Sequence, residues 1–230
     1  MTKSVAVLQS NYLPWKGYFD IINDVDEFIF YDDVQYTKND WRNRNKVKSL
    51  NGTEWITIPT GSSLNRLICE VELHDHNWQS KHWKTIYHNY KKSPFFNEYR
   101  DFFEEIYTKK WTNLSELNQH CIIKISHDIL GIKTAFGDSR LHKAEGAKQD
   151  RLIDLLVKAG ATKYVSGPSA KSYIDPHVFN RAGIELVFKE YAGYPEYPQA
   201  FPPFEHFVSI VDLLMNTGPA AGAHIWGWKN

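Results

Sequence analysis

Cysteine, methionine and unbalanced charge are all scarce in this 230-residue chain, which holds two cysteines, two methionines and 27 basic against 27 acidic residues. Two thiols, Cys69 and Cys121, cannot build a disulfide framework and fit no short metal-binding spacing, so both read as buried fillers in a reducing compartment. A formal net charge of zero leaves no long-range field to draw in nucleic acid or an anionic membrane, and any anionic ligand must be held by a local cluster. Long apolar runs are missing too. The stretch before Gln9 is far short of a signal h-region or a membrane span, so a cytoplasmic protein with no membrane insertion is expected. The chain contains no GxxxxGK[ST] loop, GxGxxG fingerprint, GxSxG elbow or HExxH pair, which disfavours ordinary P-loop, dinucleotide, hydrolase-elbow and zincin chemistry. No metal site is assigned.

What is present is enough apolar and aromatic residue, 42% and 15%, to bury a substantial core. Val5 to Leu8 is a short continuous apolar run, the pattern of a strand buried on both faces of a parallel sheet. A polar turn follows, then Trp15 to Asn23 with Trp15, Tyr18, Phe19 and Ile22 on one helical face, then a strand at Glu27 to Tyr31. That order matches a βαβ unit, which binds ligands at the carboxyl ends of its strands. Strands are expected at Trp55 to Pro59 and Leu67 to Leu73, helices through residues 77–131, and a return to strand and helix signals from Lys133 onward. The expected fold is α/β, a Rossmann-like and mainly parallel sheet with a helical insertion. Its divisions are a first part of the core with a meander (1–76), the insertion (77–131), and a second part with an aromatic loop and a closing helix (132–230).

Five stretches could carry chemistry. In QSNYLPWKG, Gln9 and Asn11 offer donors and acceptors at a strand mouth, and Gly17 costs about 1 kcal/mol relative to Ala inside a helical pattern, so a close approach of ligand or backbone is expected there. In YDDVQYTKNDWRNRNKVK, strand alternation would put Arg42, Arg44, Lys46 and Lys48 on one face. That row suits a phosphate or carboxylate, or else a solvated edge strand, while Asp32, Asp33 and Gln35 stand at the preceding strand end. His82, between Trp78 and Trp83, is either a hydrogen-bonded core histidine or a general base. In YVSGPSAKSYID, Ser166, Gly167 and Lys171 would present a hydroxyl, backbone N–H groups and a cation to an anion or carbonyl. The segment from Tyr191 to Phe204 offers Tyr194 and Tyr197 for stacking on a sugar or base, or for packing.

Taken together, QSNYLPWKGYF, YDDVQYTKNDWRNRNKVK, the helix of His82, YVSGPSAKSYID and GYPEYPQAFPPFEH followed by SIVDLLMNTG resemble the WbqC-like protein family through nearly the whole chain. The resemblance singles out Gln9, Asn11, Pro14, Gly17, Asp32, Asp33, Gln35, Trp41, Asn43, His82, Ser166, Gly167, Tyr194, Tyr197 and Pro198. It implies glycine transfer in bacterial surface-polysaccharide loci, that is, acylation of an amino sugar by an amino acid. A remoter architectural similarity to nucleotidyltransferases such as pantothenate synthetase meets Trp15, Lys16, Gly17 and Tyr18 where that class has His-x-Gly-His. On this reading a small acyl group passes to the amine of a nucleotide-linked amino sugar. Asp33 or His82 would be the base and the Ser166 and Gly167 region the oxyanion donor. Gln9, Asn11 and Asn43 would orient polar groups, Arg42 and Arg44 would hold a diphosphate or carboxylate, and Tyr194 and Tyr197 would pack on a ring. An ATP-dependent variant would use Lys16 and Lys171 on phosphates. The rival is a non-catalytic protein that binds a sugar nucleotide or glycan intermediate.

Overall fold

In chain order, the computed structural model, which describes residues 2–228, runs β1 (Ser4–Leu8), α1 (Lys16–Asn23), β2 (Glu27–Phe30), and a hairpin of β3 (Arg44–Ser49) and β4 (Gly52–Thr57). Three helices follow, α2 (Asn77–Tyr90), α3 (Phe96–Thr108) and α4 (Leu114–Lys124), the last continuing into a π-helical turn at Ile125–Ile129. The chain then forms β5 (Ala135–Asp138), α5 (Ser139–His142), α6 (Lys148–Lys158), β6 (Lys163–Ser166), α7 (Pro176–Arg181), β7 (Glu185–Phe188) and α8 (Ile210–Thr217).

Val5, Ala6 and Val7 are all buried, as a strand covered on both faces requires. Alternation across the pleat splits each strand between two apolar layers. Ala6, Phe28 and Phe30 join the larger core with α1, α2 to α4 and α8, whereas Val5, Val7 and Ile29 join a smaller one with Leu155, Leu156 and Phe179. The five strands lie in the order β5-β2-β1-β6-β7 and every pairing is parallel, which makes the fold α/β and Rossmann-like. From β1 the chain moves to β2 and β5 on one side, then returns to β6 and β7 on the other. The order therefore reverses between β1 and β6, and a crevice opens at their carboxyl ends.

Two expectations shift. Leu67 to Leu73 does not make a strand: Ile68–Glu70 is a 3-10 turn closed by the Glu70 carboxylate, which accepts from the Leu67 N–H at 2.8 Å. Its buried residues, Ile68, Val71 and Leu73, do not keep a period of two, and only single bridges form at Leu67 and Glu72. The expected strand at Trp55 to Pro59 begins earlier, at Gly52, because its register is set by β3, with Lys46 opposite Trp55. Among the described residues no helix is long and apolar enough to cross a membrane.

Candidate functional site

A cavity of about 1090 Å³ lies over the carboxyl ends of β1 and β6. Leu8, Gln9, Tyr164 and Ser166 come from the strand ends, and Asn11, Pro14 and Trp15 from the turn after β1. Gly167 to Ala170 form the turn after β6, and Lys148 and Gln149 open α6. Trp41, Arg42 and Asn45 close one side, Tyr191 and Phe207 another. Arg42 and Lys148 are the charged side chains among these residues, and both are cations.

The first turn is held by buried polar groups, because an irregular buried backbone must find partners outside a ladder. Asp32, fully buried, accepts from the Ser10 backbone N–H at 2.8 Å, from Gln119 Nε2 at 3.0 Å and from the Ser115 hydroxyl. Asn45 Nδ2 donates to the carbonyls of Tyr12 (3.0 Å) and Leu13 (2.7 Å), and the Ser209 hydroxyl donates to the same Leu13 carbonyl. Leu13 thereby holds a left-handed φ of 42°. The Tyr18 hydroxyl closes the turn on the Gln9 carbonyl at 2.9 Å.

Gly17 is explained by a neighbouring side chain. A Cβ there would come within 2.2 Å of the Trp15 indole, so the glycine lets Trp15 fold back over its own helix. In that position Trp15 meets Tyr191 edge-on at 5.1 Å and Phe207 at 5.2 Å, forming the aromatic end of the cleft. On the other side Arg42 donates to Gln9 Oε1 and to Asp40, leaving its buried Nε without a protein partner.

Of the residues singled out from sequence, Gln9, Asn11, Arg42, Ser166 and Gly167 meet in this cleft. Asp32 supports its first turn from behind. Asp33 is set back from the wall: its carboxylate takes hydrogen bonds from Arg151 and Ser139, and the Arg151 guanidinium lies 5.3 Å from the ring of Tyr31, a wall residue. His82 is buried elsewhere. Its Nε2 donates to the Thr57 carbonyl at 3.2 Å, so Nδ1 accepts from the Tyr12 hydroxyl at 3.0 Å, which in turn meets the Tyr107 hydroxyl at 2.6 Å. Burial, with a smaller contribution from Lys81, outweighs the carbonyl bond and lowers its pKa to about 4. Both ring nitrogens thus have protein partners, and His82 is not among the residues that line the cleft.

Lys16 points into the closing aromatic segment. Its ammonium contacts the Pro195 carbonyl at 3.2 Å and lies 5.1, 5.3 and 5.8 Å from the rings of Tyr194, Tyr197 and Phe204. Burial lowers its pKa to about 8, against the opposing pull of Asp212 and Glu196. Tyr194 donates to Asp20 and Tyr197 to Asp212 at 2.8 Å, so both hydroxyls serve buried carboxylates. Asn43 donates to the Ile58 carbonyl at 2.9 Å, Gln35 to the Leu64 carbonyl, and Arg44 stacks on Trp55; none of the three lines the cleft. Lys171 lies 5.5 Å from the Phe188 ring, outside the wall. Sequence reasoning missed Lys148 and Gln149 as wall residues. The signal was available, since a helix leading into a parallel strand begins at the end of the sheet where the strands terminate.

Fold and cleft together define a Rossmann-like α/β protein with a ligand-sized crevice at its switch point. The chain belongs to the WbqC-like protein family, whose model matches residues 9–224. It is similar to Rv1507c of Mycobacterium tuberculosis (strain ATCC 25618 / H37Rv), described as an uncharacterized protein, with 44% identity over 222 residues, 95% of this chain and 96% of that one. No solved structure matches.

Proposed function

We propose that this protein is a transferase that seats a nucleotide-linked amino sugar in the cleft over β1 and β6 and acylates its amine with a small group such as glycyl, in surface-polysaccharide biosynthesis. One observation carries the ligand class: both charged groups of the wall, Arg42 and Lys148, are cations, in a cavity of about 1090 Å³ whose wall also groups Trp15, Tyr191 and Phe207. A diphosphate answers the Lys148 ammonium and the remaining N–H groups of the Arg42 guanidinium, whose charge Asp40 shares. Trp15, Tyr191 and Phe207 pack the base or sugar ring. Gln9, Asn11 and Gln149 read hydroxyl and amide groups, and Ser166 donates to the oxygen that gains charge as the amine attacks the acyl carbon. As the C–N bond forms, the amine's proton passes to solvent or to the ligand's phosphate and the bond from the acyl carbon to the activated donor breaks, its electron pair leaving on a thiolate or on AMP; no carboxylate or imidazole belongs to the described wall.

That same lack favours a second reading, a sugar-nucleotide-binding protein without turnover. A thermal-shift screen over uridine- and thymidine-diphosphate amino sugars, the unsubstituted sugars, and ATP with glycine tests ligand class. A ligand at a hundredfold excess over its Kd adds about 2.7 kcal/mol. Mass spectrometry of the amino sugar after incubation with glycine and ATP, or with a glycyl thioester, separates transfer (a glycyl mass increment) from binding alone. No stabilisation by any sugar nucleotide overturns the ligand class.

A further inference from the structure

Two indoles stand exposed beside each other, Trp55 on β4 of the hairpin and Trp41 in the turn that leads into β3, with 41% of Trp41 and 42% of Trp55 accessible. They contact each other at 5.5 Å between ring centroids, tilted by 36°. Large aromatic side chains in contact and open to solvent are unusual on a protein surface and mark places where something is bound. The hairpin buries Val47 and Ile56 beneath it, so the alternate positions, Arg44, Lys46, Thr53, Trp55 and Thr57, face outward. The Arg44 guanidinium lies 4.2 Å and the Lys46 ammonium 5.2 Å from the Trp55 ring. Neither cation is ion-paired among the described residues, and the buried Arg44 Nε has no partner. Lys48, of the same parity, turns away to the Pro203 carbonyl at 2.6 Å. Asp40, beside Trp41, is engaged by Arg42, by Thr37 and by the Trp41 N–H, so it fixes the indole's backbone and its charge is answered locally.

We propose that this outward hairpin face binds an acidic oligosaccharide, a chain of pyranose rings bearing carboxylates. Pyranose C–H groups are weakly positive and lie well against the electron-rich face of an indole; the Trp55 face carries the Arg44 guanidinium, so the sugar ring packs on Trp41 while Trp55 holds Arg44 in place for the carboxylate. Arg44 and Lys46 supply the charge that a carboxylate needs, Arg44 with a planar fork matched to it. A nucleic acid would require a longer cationic track, which a chain of zero net charge with two unpaired cations on this face does not offer. Trp41 also lines the cleft, so the surface begins where the cleft opens. The inference goes beyond the transfer reading and does not depend on it, because equilibrium binding alone decides it.

The test titrates the full chain with a galacturonic acid hexamer, maltohexaose and a single-stranded oligodeoxynucleotide, followed by calorimetry and tryptophan fluorescence. The expected result is saturable binding of the galacturonate hexamer that weakens with added salt, at least tenfold weaker binding of maltohexaose, and at least tenfold loss for Arg44→Gln and for Trp55→Ala, partly restored in Trp55→Phe. Absence of hexamer binding, equal affinity in Arg44→Gln, or preference for the oligodeoxynucleotide would overturn it.

Discussion

Replacing His82 with leucine separates a structural imidazole from a reactive one. In the folded protein burial lowers the His82 pKa from 6.5 to about 4, so between those values the unfolded chain binds the proton more readily than the native one. Stability therefore rises with pH across that window and is lost as pH falls from 6.5 toward 4. A gap of roughly 2.5 units at about 1.4 kcal/mol per unit gives about 3 kcal/mol in total, of which about 2 kcal/mol should go between pH 7 and pH 4.5. At pH 7 the leucine variant leaves the Tyr12 hydroxyl and the Thr57 carbonyl without their imidazole partner, costing about 1–3 kcal/mol. In acid the wild type suffers the His82 penalty and the variant does not. Urea unfolding of both proteins at pH 7.0 and 4.5 should show the stability gap narrowing by about 2 kcal/mol, or reversing. A gap that stays constant would refute the buried, neutral assignment. A folded variant with at least hundredfold lower turnover at saturating substrate would return His82 to the reacting atoms.

Three further outcomes are expected. Lys16, its pKa lowered to about 8 by burial, is penalised while charged; stability relative to Lys16→Met should rise between pH 7.5 and 9.5, on the order of 1–2 kcal/mol in paired denaturant titrations, and parallel curves would refute it. Gly17→Ala drives a methyl into the Trp15 ring, so melting should report about 1–3 kcal/mol of destabilisation, and sugar-nucleotide affinity should fall as the aromatic end is displaced. Asp32→Ala strands the Ser10 N–H and the Gln119 amide and should destabilise by about 2–4 kcal/mol, with faster amide exchange at Ser10 as its specific mark.

The β1 run and the first turn were legible because a buried parallel strand and the turn that follows it leave a contiguous pattern. Gln9, Asn11, Ser166 and Gly167 meet because Ser166 ends β6 and Gly167 follows it, while Gln9 and Asn11 lie in the turn that follows β1 in the same sheet. His82, Tyr194 and Tyr197 looked equally polar and aromatic in sequence. Each spends its hydrogen-bonding atoms on a distant residue, Thr57, Asp20 or Asp212, and no local pattern encodes that partner. The alternation read through Arg42, Arg44, Lys46 and Lys48 was broken by where the strand begins. β3 starts at Arg44, so Arg42 leaves the hairpin face and turns into the cleft. At Gly17 the sequence points to a ligand or a backbone in close approach, whereas the group that approaches is the Trp15 side chain, two residues away.

A crystal structure of the protein with a uridine-diphosphate amino sugar addresses the proposed ligand class most directly. The diphosphate is predicted within hydrogen-bonding reach of Arg42 and Lys148, over the carboxyl ends of β1 and β6, with a ring against Trp15 and Tyr191. A ligand seated on another surface, or a diphosphate that touches neither cation, would contradict it.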